Sequence, residues 1–319
     1  MPAEVETMFY AGETPWHGLG TKLDHIATSE EAIVAAGLDW EVEMYGVYTR
    51  TTDPTFQVVP GYFATTRKTD NKVFGVMKSR FKPVQNREAF TFFDNVVGEK
   101  LAIYHTAGSL KEGAIVWILA KLPGNFSIKG DQVDKYLLLT NSHDGSRAVQ
   151  MFYTPIRVVC WNTLQMADST ASARFYMRHT TMVMNRIAQA QDILGIANKF
   201  YRDWHGQAEH LALLQLPAPQ VPLLLKAAFT GNSETKMEDI WIPVKNAMEK
   251  AEELIYVGRG QDNPKIQGTA WQAYNGIAEY VDYYKKPRGK NPNDSRLNSA
   301  WFGTGNDIKK RAWDYLLKL

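Results

Sequence analysis

Four strand-like segments follow one another in the first half of the chain with only short turns between them. They are AIYHTAGSL (102–110), GAIVWILAKL (113–122), DKYLLLTNS (134–142) and VQMFYTPIRVVC (149–160), the last with Pro155 marking a bend or an edge. Successive strands with few intervening helices favour an antiparallel sheet. We therefore predict an α+β fold with a largely antiparallel sheet and packed helices, and not a doubly wound one.

The residues before these strands contain further regular patterns. SEEAIVAAGL (29–38) predicts a short helix capped by Ser29, and WEVEMYGVYTR (40–50) alternates as a strand does. GYFATTR and KVFGVMKSRF flank the turn at 68–71, which predicts a hairpin. NREAFTFFDNVV (86–97) has the apolar spacing of a helix.

The pattern changes near Thr180 and becomes helical. Apolar residues recur at helical spacing in 181–214, 237–258 and 269–286, and a last helix is expected from about Asp307 to Leu317. The expected organisation is an α+β sheet domain over 1–180 and a helical region over 181–319 packed on it.

Composition narrows the functional class. The chain has 319 residues, 45% of them hydrophobic, a formal net charge of +2 and one cysteine. One cysteine excludes an intrachain disulfide framework, and no apolar run or leader indicates a membrane span or a signal peptide. We expect a cytoplasmic protein without membrane contact, cofactor or bound metal ion.

The densest polar block lies at 139–164, LTNSHDGSRAVQMFYTPIRVVCWNTL. An enzyme using His143, Asp144, Cys160 and Asn162 is one interpretation, since a cysteine nucleophile needs a base within hydrogen-bond reach. However, Cys160 follows Val158 and Val159, where a free cysteine is usually a small buried hydrophobe. Asn162 and Thr163 are more simply explained as a helix cap, so catalysis is the alternative.

The modest net charge hides three basic zones. Lys285–Arg311 and Arg50–Arg87 each contain eight basic and two acidic residues (8 − 2 = +6), and Arg147–Arg186 contains five arginines and one acidic residue. Aromatic residues lie in each zone, among them Phe56, Tyr62 and Trp161. Cations beside stacking rings are what single-strand binders use. The simpler explanation is that the rings are core and the charges a solvated face.

Three separated motifs carry a family resemblance: VETMFYAGETPWHGLGTKL, TNSHDGS with TPIRVVCWNTL, and GTAWQAYNGIAEYVDYY with RLNSAWFGTGNDIKKRAWDYLL. In order and over the whole chain, they resemble the phage/plasmid-like protein family, a domain-of-unknown-function family of phages, plasmids and bacteria. The resemblance implies no particular chemistry, but its setting favours DNA replication, recombination or annealing. The layout is also similar to that of phage single-strand annealing proteins.

The sequence therefore predicts a non-enzymatic protein that binds single-stranded DNA and promotes annealing or recombination as a homo-oligomer. The expected backbone contacts are Arg147, Arg157, Arg174 and Arg178, with a second basic face at Lys309, Lys310 and Arg311 and a stacking ring at Trp161. A hydrolase-like enzyme and a phage structural or host-interaction protein without DNA affinity remain the alternatives.

Overall fold

The computed structural model describes most of the chain: residues 5–11, 20–25, 27–50, 55–97, 103–157, 162–163, 174–177, 187–286, 299–301 and 303–319. Its strands form two sheets, and helices pack on the larger one. The α+β class with antiparallel pairing in the N-terminal half and helices in the C-terminal region is confirmed. The expected boundary near residue 180 falls outside the described residues.

The larger sheet has eight strands in the order β10-β9-β8-β7-β6-β1-β2, with β11 also paired to β9. All described pairs are antiparallel except β1 with β2. The strands are β1 (Val5–Ala11), β2 (Thr21–Leu23), β6 (Ile103–Leu110), β7 (Ile115–Ile128), β8 (Asp131–Ser142), β9 (Val149–Arg157), β10 (Asn162–Thr163) and β11 (Arg174–Met177). The four strands predicted between 102 and 160 are thus confirmed as its centre.

The smaller sheet has three strands, β3 (Val42–Arg50), β4 (Phe56–Arg67) and β5 (Lys72–Lys78), in that order. The predicted hairpin is confirmed: β4 and β5 pair antiparallel across the turn, where Asn71 takes a positive φ of 59°. Asparagine tolerates that conformation better than most residues, which explains why the chain reverses there.

Helices cover both faces of the larger sheet. They are α1 (Ser29–Ala35), α2 (Asn86–Val97), α3 (Ile187–Leu213), α4 (Val221–Thr230), α5 (Ile242–Val257), α6 (Ala270–Glu279) and α7 (Thr304–Leu316). Along β7, Trp117 and Leu119 belong to the core shared with α4–α7, while Val116 and Ile118 belong to the core shared with α1 and α2. A strand that is buried on both faces has a continuous apolar sequence, as the first half of β7 does.

Some local predictions need correction. Thr28, not Ser29, caps α1, because its hydroxyl and the Glu31 carboxylate form reciprocal capping hydrogen bonds. Asn162 and Thr163 pair with Arg157 and Ile156 as a short strand, and the residues of the helix expected after them lie outside the described part of the chain. Strands β1, β2 and β11 were not expected.

Pro155 sits at a gap in the outer pairing of β9. Strand β11 pairs with residues up to Phe152, and β10 pairs from Ile156 onward. Between these partners no described strand lies on the outer side of β9. The sequence predicts a bend or an edge at Pro155, and a residue without an N–H fits a position where the described ladder is interrupted.

Candidate nucleic-acid interface

His143 is a structural residue at the junction of the two sheets. Its ring is fully buried, stacks on Phe74 at 5.6 Å between ring centroids and meets Trp40 edge-on at 5.2 Å. Its Nε2 lies 3.0 Å from Oδ1 of Asn86, whose Nδ2 donates to the Leu38 carbonyl. Since Oδ1 of Asn86 can only accept, His143 donates from Nε2. The imidazole is enclosed by packing and is not presented to a substrate.

Asp144 is held by its own turn and not by His143. Its Oδ1 accepts from the Ser142 hydroxyl at 2.7 Å and from the Ser146 amide at 2.9 Å. Burial acts to raise the pKa of Asp144, but the hydrogen bonds from Ser146 and Ser142 outweigh it and lower the pKa below its ordinary value. Gly145 takes a φ of +68°, and a Cβ there would lie 2.6 Å from the Met77 sulfur. The sequence Asp144-Gly145 therefore encodes a tight turn.

These contacts remove support from the enzyme interpretation. His143 and Asp144 bond to different partners and do not form an acid–base pair. Cys160 lies outside the described residues, and for Asn162 the backbone alone is described. Within the described part of the chain, no three His, Cys, Asp or Glu side chains cluster as metal ligands.

Arg157 connects the larger sheet to the C-terminal helical region through an ion pair and hydrogen bonds. Its side chain is fully buried, and its Nη2 lies 2.7 Å from Oδ2 of Asp131. The same Oδ2 accepts from the indole of Trp271 at 2.8 Å. Arg157 also donates to the carbonyls of Arg259 (3.1 Å) and Gly260 (2.7 Å). The expected DNA-backbone role of Arg157 is therefore replaced by a structural one, because no phosphate reaches a fully buried guanidinium.

Lys309, in the second predicted basic face, is also a buried ion-pair residue. Its ammonium is fully buried 3.0 Å from the carboxylate of Asp282. Burial lowers the pKa of Lys309, against the opposing attraction of Asp282. Arg311 donates from Nε to the Ala228 carbonyl at 2.7 Å and is partly exposed, and Lys310 is partly exposed as well. Lys309 thus joins α7 to the π-helical segment Tyr280–Tyr284, which continues α6, and lies out of reach of a ligand.

The structure describes the remaining predicted contact residues in less detail. Arg147 is half-buried, and burial lowers the pKa of its guanidinium while Asp144 acts to raise it. Arg174 begins β11, where its backbone pairs with Phe152. Arg178 and Trp161 lie outside the described residues.

The basic zone Arg50–Arg87 contains both structural and exposed cations. Arg67 is buried, bonds to both carboxylate oxygens of Asp70 and pairs with Glu6 at 2.9 Å. Three others are paired at the surface: Lys68 with Glu41 and Glu43, Lys72 with Glu112, and Arg87 with Glu30 and Asp39. Arg50, Lys78 and Arg80 are exposed and make no ion pair with another described residue.

The outward side of the three-stranded sheet combines these cations with aromatic rings. Tyr45, Ala64 and Val76 are directly opposite one another on the three strands, and Tyr62 and Lys78 form the next pair on the same face. We call this surface, Tyr45, Tyr62, Val73, Val76 and Lys78, the outer face. Its two tyrosines are 46% and 42% exposed, and its two valines 54% and 55%.

The opposite side of the same sheet packs on the rest of the protein. Thr65 donates from its hydroxyl to the His143 carbonyl at 2.8 Å, and Phe74 stacks on the His143 ring. One face of the sheet is thus covered, whereas the side chains of the outer face are exposed. A cluster of exposed apolar and aromatic side chains of this kind marks interaction surfaces.

Tyr45 was not among the predicted binding residues, and Tyr62 and Phe56 were noted only as rings within a basic zone. The signal was present in the sequence: aromatic and apolar residues occupy both faces of a strand in WEVEMYGVYTR, although one face would suffice for a core. Alternation alone does not reveal which of the two faces stays open.

The model of one protein family matches residues 73–301, more than two thirds of the chain. The chain belongs to the family described as Domain of unknown function (DUF932). The match begins within β5 and runs to Trp301, so it includes the eight-stranded sheet from β6 onward and most of the C-terminal helices.

Two proteins of Escherichia coli (strain K12) are similar to part of this DUF932 chain. UPF0380 protein YafZ and UPF0380 protein YfjQ are each 34% identical over 104 residues, which is 32% of this chain and 36% of the relative. The chain thus matches only about a third of the length of these curated relatives. No solved structure matches it. Among the described residues, no helix is both long and apolar enough to cross a bilayer.

Proposed function

We propose that this DUF932 protein binds single-stranded DNA and, as an oligomer, promotes the annealing or recombination of single strands. Bases stack on the tyrosines of the outer face, and neighbouring cations hold the phosphates. The family resemblance to phage and plasmid proteins supports a role in DNA transactions.

One observation carries the proposal: two solvated tyrosines and a solvated lysine share one face of an open sheet. Tyr45 and Tyr62 are diagonal neighbours on adjacent strands, since Tyr45 lies opposite Ala64, two residues from Tyr62. Diagonal side chains of this kind lie roughly 7–8 Å apart, within reach of each other for aromatic residues. Every base has a face that stacks on such a ring, so the contact does not depend on sequence.

The charges fit a phosphate backbone at the same place. Lys78 lies directly opposite Tyr62, and Arg80 follows two residues later. Among the described residues of this face, the acidic side chain Glu43 pairs with the Lys68 ammonium at 3.0 Å, and it also accepts a hydrogen bond from the Tyr45 hydroxyl at 2.5 Å. Hydrogen bonds from Tyr45 and Lys68 lower the pKa of Glu43. The local field is therefore dominated by Lys78 and Arg80.

Five of the predicted cations are secondary parts of the proposal. Arg147, Lys310 and Arg311 are partly exposed, and Arg174 and Arg178 remain predictions from the sequence. Arg157 and Lys309 leave the proposed interface because their charges are fully buried.

The test is a fluorescence-anisotropy titration with labelled oligo(dT) over a salt series. Tyr45→Ala and Tyr62→Ala should each weaken binding by about 1–3 kcal/mol, the usual contribution of one stacked base. Tyr45→Phe and Tyr62→Phe keep the ring and should bind as the wild type does. Tyr256→Ala, at an equally solvated tyrosine on α5 that is 54% exposed, is the matched control and should have no effect.

The phosphate contact is tested separately, by the salt dependence of DNA binding. Lys78→Gln should reduce the slope of log K against log salt by about 0.7, the value for one phosphate contact on a single strand. Lys318→Gln, at an exposed lysine of the C-terminus, should leave the slope unchanged. Absence of binding at low salt, absence of a salt slope, or full affinity in the double alanine variant would each overturn the proposal. Self-association without DNA affinity would instead indicate a structural or host-interaction protein.

A further inference from the structure

The hairpin of β3 and β4 extends beyond the third strand of its sheet. Residues 48–50 of β3 pair with residues 56–58 of β4, whereas β5 pairs with β4 only from Tyr62 to Arg67. We call these two paired segments the arm. Two strands without a third partner are at best marginally stable in water. The arm therefore gains stability from any surface that covers it.

The arm is apolar as well as unsupported. Phe56 is 70% exposed, Val58 59% and Tyr48 58%. Arg50, opposite Phe56, is exposed and forms no ion pair with another described residue. The arm thus offers three apolar side chains and one positive charge.

A surface with the complementary character lies at the start of α5. Met237, Trp241 and Ile242 are exposed by 47%, 60% and 67% around the exposed carboxylates of Glu238 and Asp239. We call residues 237–242 the acidic corner. Neither carboxylate forms an ion pair within the described part of the chain. Its negative charge disfavours DNA and favours a basic apolar protein segment.

We propose that the arm of one copy of this chain docks on the acidic corner of a second copy, with Arg50 facing Glu238 and Asp239. The chain itself carries both complementary halves, which is why the occupant is a second copy and not another protein. Such a contact joins two different surfaces, so it closes a two-fold dimer if each arm reaches the other copy's corner and otherwise generates a ring or a filament. The inference rests on the oligomeric part of the proposed function and is independent of DNA binding.

The contact is small. A standard stable interface buries roughly 800 Å² on each partner, more than a six-residue arm supplies. Assembly should therefore be reversible and should depend on protein concentration.

The experiment measures the mass of the full-length protein by light scattering after size exclusion, without DNA, from about 1 to 100 µM, a range that covers weak association. The wild type should grow from monomer to larger species with concentration. Arg50→Glu should lower the association constant by about tenfold or more, and so should the double variant Glu238→Arg with Asp239→Arg. The combination of all three substitutions restores opposite charges and should recover association.

Phe56→Ala tests the apolar part of the contact and should weaken association to a similar extent. Lys318→Glu reverses an exposed charge elsewhere and should change nothing. All substituted side chains are exposed, so unchanged circular dichroism serves as the folding control.

A wild type that stays monomeric throughout, an Arg50→Glu variant that assembles normally, or a charge swap without recovery would each overturn the inference. Loss of DNA binding on Arg50→Glu with unchanged mass would assign the arm to DNA instead. Because the mass is measured without DNA and the DNA test uses Tyr45 and Tyr62, failure of one proposal is distinguishable from failure of the other.

Discussion

The two sheets use the same residue types in opposite ways. Val116 on β7 is fully buried, whereas Val76 on β5 is 55% exposed, although both sit in apolar strands. The difference comes from coverage: helices pack on both faces of the eight-stranded sheet, whereas among the described residues the three-stranded sheet is covered on one face only. The larger sheet is therefore the stability core, and the smaller one presents the surface that is available for binding.

Charges follow the same division. Around the larger sheet, Arg157 and Lys309 are buried and hold elements together through Asp131 and Asp282. On the smaller sheet, Lys78 and Arg80 remain solvated. The division follows burial more closely than sheet membership, because Arg67, on the inner side of the smaller sheet, is buried and paired with Glu6 and Asp70.

The largest expected effect is at the buried ion pair. Asp131→Ala leaves the Arg157 guanidinium buried without its carboxylate and removes the acceptor of the Trp271 indole. Such a loss typically costs about 3–5 kcal/mol. Urea unfolding measures it, and Lys68→Ala, which breaks two exposed ion pairs each worth about 0–1 kcal/mol, is the control. An Asp131→Ala cost as small as the control's would contradict the structural role of Arg157.

A second test compares apolar residues on the two sheets directly. Leu137→Ala, in the fully buried part of β8, should lower the free energy of unfolding by about 2–5 kcal/mol. Val76→Ala on the outer face should change it by only about 0.5 kcal/mol or less. Equal costs in urea unfolding would mean that the outer face is covered within the monomer, and the division between the sheets would fail.

The smallest effect concerns the acid stability of the three-stranded sheet. A bidentate hydrogen bond from Arg67 lowers the pKa of Asp70 from 3.8 to about 2. A depressed folded-state pKa gives a contribution that is complete above the unfolded pKa and is lost as the pH falls toward the folded one. The stability difference between wild type and Asp70→Asn should therefore shrink as the pH falls from about 4 to about 2.

Urea unfolding at both ends of that range measures this difference. Glu238→Gln is the control, because its carboxylate is exposed and forms no ion pair with another described residue. A difference between wild type and Asp70→Asn that is constant with pH would show that the Arg67 contact does not operate in solution.

Much of the secondary structure could be predicted because it depends on neighbouring residues. The hairpin around 68–71, the helix at 86–97 and the four central strands follow from local periodicity and turn residues. The cap of α1 was also within reach, since Thr28 and Glu31 have the capping-box spacing, whereas Ser29 lacks an acidic residue three positions later. Strands β1 and β2 were missed because β2 has three residues and β1 pairs with a strand about a hundred residues away.

The candidate interface was less accessible to prediction. The sequence identified basic zones with aromatic residues, but two of its eight proposed contacts, Arg157 and Lys309, are buried ion-pair residues. The solvated tyrosines of the outer face lie in one of those zones or beside it, yet no local pattern separates them from core residues. Burial depends on what packs against a strand, which alternation does not report.

By itself the sequence determined which segments become strands and helices and where the chain turns, because steric limits on the backbone and side-chain periodicity act over a few residues. Only the tertiary structure decided which face of each sheet is covered and which charges are paired. Arg157 shows the reason: its carboxylate partner is 26 residues away and its carbonyl partners are 102 and 103 residues away. Contacts at that separation are set by how whole elements pack.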